Sequence, residues 1–135
     1  MVKIIMGLKG TGKTKTLIDS VNTAARADHG SVICIEKGPK LTYDVSHKAR
    51  LINAEEYHVD NYERFLGFVN GIIAGNFDIT DIFIDSITKI CGNDMDMGHL
   101  SAFVTEIEKT AKDINVTMTV SADVAEAPEE IKKYF

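Results

Sequence analysis

Two rhythms of apolar residues alternate along the 135-residue chain, short β-branched runs and longer stripes with a period near 3.6. Val2, Ile4, Ile5 and Met6 open it as a strand, and Leu17, Ile18, Val21, Ala24 and Ala25 recur behind it at helical spacing. Gly30 stands where a left-handed helix terminator belongs. Directly after it, Ser31-Val32-Ile33-Cys34-Ile35 is apolar enough to be a buried parallel strand, ended by Glu36-Lys37-Gly38-Pro39. Lys40 to Lys48 shows neither period and reads as a loop, and Ala49 to Asn53 reads as a further short strand.

A second helix is predicted over Asn61 to Ala74, where Tyr62, Phe65, Leu66, Val69 and Ile73 trace one face and Asp60 with Glu63 forms a variant capping box. Gly67 and Gly71 inside it each cost about 1 kcal/mol against alanine, which close packing on a sheet would explain. Ile82-Phe83-Ile84 is the next strand, and Leu100, Phe103, Val104, Ile107, Ala111 and Ile114 make another helical stripe. Val116 to Ser121 and Pro128 to Phe135 close a β-α-β-α-β-α-β-α order. Such alternation predicts an α/β fold of three layers, helices on both faces of a mainly parallel sheet of roughly four to five strands.

The length suits a single domain over residues 1–135, and no linker, repeat or low-complexity tract divides it. Hydrophobic residues make up 44% and charged ones 26%, the balance of a soluble globular protein. No apolar run approaches the length of a signal peptide or a membrane span, so a cytoplasmic location is expected. Cys34 and Cys91, inside strands or at their ends, have no metal-binding spacing and read as buried reduced thiols. With a net charge of −5 and a pI near 5.3, no broad basic surface points to nucleic acid. Lys132 and Lys133 complement the dipole of the final helix, whose opposite end carries Glu129 and Glu130 behind Pro128. His29, His47, His58 and His99 are too dispersed to suggest a metal site.

Between the first strand and the first helix, Gly7-Leu8-Lys9-Gly10-Thr11-Gly12-Lys13-Thr14 reads G-x-x-x-x-G-K-T, a phosphate-binding loop. The glycines let backbone N–H groups turn inward on phosphates, and the helix start adds its unpaired donors and positive dipole end. Lys13 is placed to reach the β- and γ-phosphates, Thr14 offers a hydroxyl to Mg²⁺, and Lys15 follows as a further nucleotide-binding residue. Ile82-Phe83-Ile84-Asp85 supplies a carboxylate at the C-terminal end of a strand, here expected to neighbour the loop's own, where it can hold the water shell of Mg²⁺. Asp81 precedes the apolar run and so lies at the wrong end.

On these motifs the chain resembles the P-loop NTPases, and more narrowly their RecA-like branch, in which an apolar strand ends in Asp-Ser as Ile84-Asp85-Ser86 does here. The resemblance implies a P-loop NTPase fold and a Mg²⁺-dependent, ATP-binding ATPase. It implies that Glu36, after the second strand, polarises the attacking water, with a surface pairing to Lys37 or Lys40 as the other reading and Glu55 and Glu56 as weaker candidates. It also makes Ser121, at the end of the last strand, a γ-phosphate sensor or else a plain strand-ending serine. Lys13, Glu36 and Asp85 are thus the catalytic candidates, and Thr14 and Asp85 the metal ligands.

RecA-like cores are longer, so recombination or helicase activity is not implied. A missing outer strand would leave the phosphate-loop strand at a sheet edge, to be covered or paired with another subunit or a protein partner. The guanine-reading Asn-Lys-x-Asp segment is absent, and Leu8 holds the place of the signature lysine of ParA/MinD-type loops. A small kinase, with Arg50 and Arg64 as possible fingers, and an ATP/ADP-binding module without appreciable hydrolysis are the alternatives.

Overall fold

Five short apolar runs become the strands of one parallel sheet. A computed structural model describes residues 1–135, in the order β1 (Val2–Gly7), α1 (Lys13–Ala27), β2 (Ser31–Glu36), β3 (Ala49–Asn53), α2 (Tyr62–Gly75), β4 (Ile79–Ile84), α3 (Ile87–Ile90), α4 (Met97–Thr110), β5 (Asn115–Ser121) and α5 (Glu129–Lys132). The sheet order is β1-β5-β4-β2-β3, with every neighbouring pair parallel. No helix is long and apolar enough to cross a membrane.

Side chains on a strand alternate between faces, and this parity divides the core in two. Val2 and Ile4 of β1, Ile33 and Ile35 of β2, Ile82 and Ile84 of β4, and Val116, Met118 and Val120 of β5 join α2, α4 and α5 in a cluster of 25 buried residues. Within it Phe65 and Phe103 stack with ring centroids 5.3 Å apart. The opposite parity sends Val32, Cys34 and Phe83 to a cluster of nine with Leu17, Val21 and Ala25 of α1. Leu41 and Val45 of the loop after β2 are buried there too, which explains the apolar residues in an otherwise polar segment.

β1 does lie at a sheet edge, and its own chain covers part of it: the Ile4 N–H donates to the Tyr134 carbonyl at 2.8 Å, just past α5. The other edge is β3. α5 begins behind Pro128 with Glu129 and Glu130 in its first turn and Lys132 in its last, the charge order that suits its dipole.

Several local expectations are corrected. α3 is a single turn that no periodicity announces. The α2 cap is Asn61, whose side chain accepts the Arg64 N–H at 2.8 Å, while Asp60 instead pairs with the Arg64 guanidinium at 3.0 Å. Asp28 rather than Gly30 takes the left-handed position that ends α1, with φ +53°. Gly30 answers to crowding, since a Cβ there would stand 2.3 Å from the Asp78 carbonyl oxygen. Gly67 and Gly71 face open space, so close packing does not account for them. Cys34 is in β2, but Cys91 follows α3 rather than a strand; both thiols are free and buried, and burial pushes each up to about 12.

Candidate nucleotide site

At the C-terminal end of β1 the chain passes through Gly10 and Gly12 with φ of +85° and +83°, a left-handed geometry that glycine adopts without the cost a Cβ would bring. Gly12 immediately precedes α1, so the turn delivers its backbone to the helix start, where unpaired N–H groups and the dipole favour an anion. Lys13, only 9% exposed, folds back so that its Nζ donates to the Leu8 carbonyl at 2.9 Å, and the Thr11 hydroxyl donates to the same oxygen at 2.8 Å. The Lys13 charge therefore meets a neutral carbonyl and no carboxylate.

Strand parity brings the acids to this side of the sheet. Glu36 shares the face of Val32 and Cys34, and Asp85 that of Phe83. The Asp85 N–H donates to the Ile35 carbonyl at 2.9 Å, which extends the ladder one residue past β4. Its Oδ1 accepts from the Thr14 hydroxyl at 3.1 Å and from the Thr119 hydroxyl at 3.0 Å. Thr119 in turn accepts the Ser86 N–H at 2.7 Å, so that one hydroxyl fixes both the carboxylate and the backbone turning into α3. Ser86 takes φ +56° at this turn.

β1 and β4 are not neighbours. β5 lies between them, which corrects the expectation of adjacent strands and gives Thr119 its place across the gap between Thr14 and Asp85. Thr14 and Asp85 still meet, two hard oxygen donors of the kind that Mg²⁺ accepts beside phosphate and water, so the residues present fit that ion.

Glu36 is 3% exposed, and both carboxylate oxygens accept from the Leu41 N–H, at 3.3 and 3.1 Å. Burial raises its carboxyl above the usual value, and the Leu41 N–H and, further down, Lys40 oppose that shift while Asp85 adds to it. It borders the same cleft, about 470 Å³ in volume, that Lys13, Thr14, Asp85 and Ser121 line. Lys9, Gly10, Gly12 and Lys15 line it as well; Gly7, Leu8 and Thr11 do not, and the Leu8 carbonyl and Thr11 hydroxyl act within the loop. Ser121 is at the rim, and the hydrogen bond to Asp85 comes from Thr119, two residues earlier on the same face of β5.

The cleft gathers six lysines, Lys9, Lys13, Lys15, Lys37, Lys40 and Lys89, against two carboxylates, Glu36 and Asp85. None of the six belongs to an ion pair. In a chain of net charge −5 this is a local inversion of sign, suited to a polyanion. Lys37, Lys40, Lys89 and Thr119 were not signalled by any motif. Only the parity that relates Thr119 to Ser121 would have found one of them. Arg50 and Arg64 do not border the cleft, and Glu55 and Glu56 sit in an exposed turn after β3.

The sheet and its helices make the three-layer α/β/α fold of the P-loop NTPases. Solved structures place it in the same way. The flagellar accessory protein FlaH of Methanocaldococcus jannaschii matches with a TM-score of 0.61 at 18% identity over 98% of this chain. The pCW3 conjugation coupling protein TcpA, in its monomer form with ATPγS, matches with a TM-score of 0.57 at 12% identity, again over 98% of this chain. At such identities the likeness is one of fold, and the chain spans 65% of the first structure's length and 46% of the second's. No protein-family profile matches the sequence, and no curated protein does.

Proposed function

We propose that the chain is a nucleotide-binding domain that holds MgATP between Gly7–Thr14 and Asp85 and hydrolyses it by in-line attack of water. The observation that carries this reading is the Thr14–Asp85–Thr119 hydrogen-bonded group beside Lys13, at the mouth of a lysine-lined cleft. Lys13 would exchange the neutral Leu8 carbonyl for anionic phosphate oxygens, adding the attraction of opposite charges to the hydrogen bond. Mg²⁺, when bound at Thr14 and Asp85, would supply neutralisation of the triphosphate charge. Lys9, Gly10, Gly12 and Lys15 would line the phosphate path with their N–H groups and side chains, Gly7, Leu8 and Thr11 would keep the loop in shape, and Ser121 would border the terminal phosphate. Glu36 is the candidate base, because a raised carboxyl pKa suits proton abstraction near neutral pH. TcpA, of like fold, was solved with ATPγS, which supports a nucleoside triphosphate as ligand.

A second reading, a binding module with negligible turnover, draws on one observation: both Glu36 oxygens are engaged by the Leu41 N–H, so the base is latched unless the loop after β2 moves. Isothermal titration with ATP, ADP and GTP in Mg²⁺ should give adenine-selective binding that Lys13→Ala abolishes; a folded protein that binds none of the three would overturn the proposal. Glu36→Ala should then lower turnover by about 10²–10⁴-fold with ATP affinity retained. Affinity and turnover both unchanged would instead support the binding module.

A further inference from the structure

Lys40 and Lys89 have no part in the reading above, yet they come from separate elements to one point. Lys40 belongs to the loop after β2 and Lys89 to α3, the turn that follows Asp85; both are exposed, and both border the cleft along with Lys9 of the phosphate loop. Both side chains line this one cleft, and neither finds a carboxylate within ion-pair distance. Free lysines on different elements ordinarily swing apart, since two like charges at about 4 Å repel by on the order of 1 kcal/mol even in water. The crowding leaves a trace: the Lys89 amine is held below the usual lysine value, chiefly by Lys40, then by burial and Lys9, with Asp85 opposing.

No ion pair within the protein neutralises these two charges, and a polyanion in the cleft would. Lys13 on one side and the Thr14–Asp85 pair on the other bracket where the end of a triphosphate lies, and Lys89 is close enough to Asp85 and Lys9 to feel both. A diphosphate held by the same loop stops one phosphoryl group short. The cleft holds no arginine that could take the charge instead.

We infer that Lys40 and Lys89 form a two-pronged cationic clamp on the terminal phosphate of a bound nucleoside triphosphate, and that this clamp gives the site its preference for triphosphate over diphosphate. The inference rests on the nucleotide-binding reading. Each prong contributes a charge-assisted hydrogen bond that ADP cannot receive, which the backbone donors of the phosphate loop, common to both ligands, do not.

The test is titration of the purified chain with ATP and with ADP, each with Mg²⁺, for the wild type, K40A, K89A, the double variant and K37A. Lys37 lines the same cleft and serves as the control for lost charge alone. The wild type should prefer ATP, and each clamp lysine removed should cut ATP affinity about 10-fold while ADP affinity changes far less. K37A should weaken both ligands by similar small factors. An ATP-to-ADP affinity ratio in the double variant equal to that of the wild type would overturn the clamp and leave the nucleotide site standing. A wild type that binds the two equally would do the same, whereas one that binds neither would overturn both.

Discussion

The two faces of the sheet divide the work of the molecule unequally. Beneath α2, α4 and α5 lie 25 buried residues, with Phe65, Leu100 and Ile107 fully enclosed. Beneath α1 lie nine, and on that parity β5 presents Thr117, Thr119 and Ser121 where its other face presents Val116, Met118 and Val120. The thick face is built for stability. The thin one keeps polar side chains at the C-terminal strand ends, where the Gly7–Thr14 loop opens, and it gives up apolar area in return. One change of strand parity therefore separates folding from chemistry within a sheet a single residue thick.

The sharpest way to break this comparison is to cut the same chemistry from each face. Phe65→Ala should cost about 3–5 kcal/mol of unfolding free energy in a urea titration, because the ring leaves a cavity against Phe103, with nucleotide affinity unchanged in the folded fraction. Leu17→Ala, under α1, should cost about 2–5 kcal/mol and also weaken nucleotide binding, since α1 carries Lys13 and Thr14 at its start. If the two variants lose affinity alike, the faces are not separate in function.

A smaller effect is expected at a helix end on the thick side. Asn61→Ala removes the acceptor for the Arg64 N–H and should cost about 1 kcal/mol, read in the same titration, with no change in binding.

The smallest effect distinguishes the thin face by pH. Glu36 has its carboxyl raised by burial, so between the ordinary value of 4.5 and the raised one the folded chain holds a proton that the unfolded chain has lost. Stability due to this group is thus highest below pH 4.5 and falls as pH rises through the raised value, after which the penalty is constant. Glu36→Gln should flatten that slope in thermal melts across the window, with variant and wild type differing least at the acid end. A slope of the opposite sign would show that the Leu41 N–H, rather than burial, governs the group.

Much of the candidate site's layout was legible because its information is local. The Gly7–Thr14 loop is eight consecutive residues, and its turn passes through two left-handed glycines that the motif itself contains. Asp85 was legible from the apolar run before it, and Glu36 from the end of the second strand. Asp60 against Asn61 as the α2 cap was not, since neighbouring residues with equally good oxygens differ only in which backbone torsions the chain adopts. Gly30 was misread for a related reason: the crowding by the Asp78 carbonyl comes from a segment 48 positions away.

The sequence by itself determined the periods, the parity of each strand and the glycine turn between β1 and α1, because each depends on residues a few positions apart. Only the tertiary structure decided that β5 lies between β1 and β4, that Thr119 joins Thr14 to Asp85, and that Lys40 and Lys89 line one cleft. Those contacts join residues from 34 to 71 positions apart where the hydrogen bonds are concerned, and no local preference encodes them. They arise when buried area on both faces selects one strand order, and the charges at the strand ends take the positions which that order leaves them.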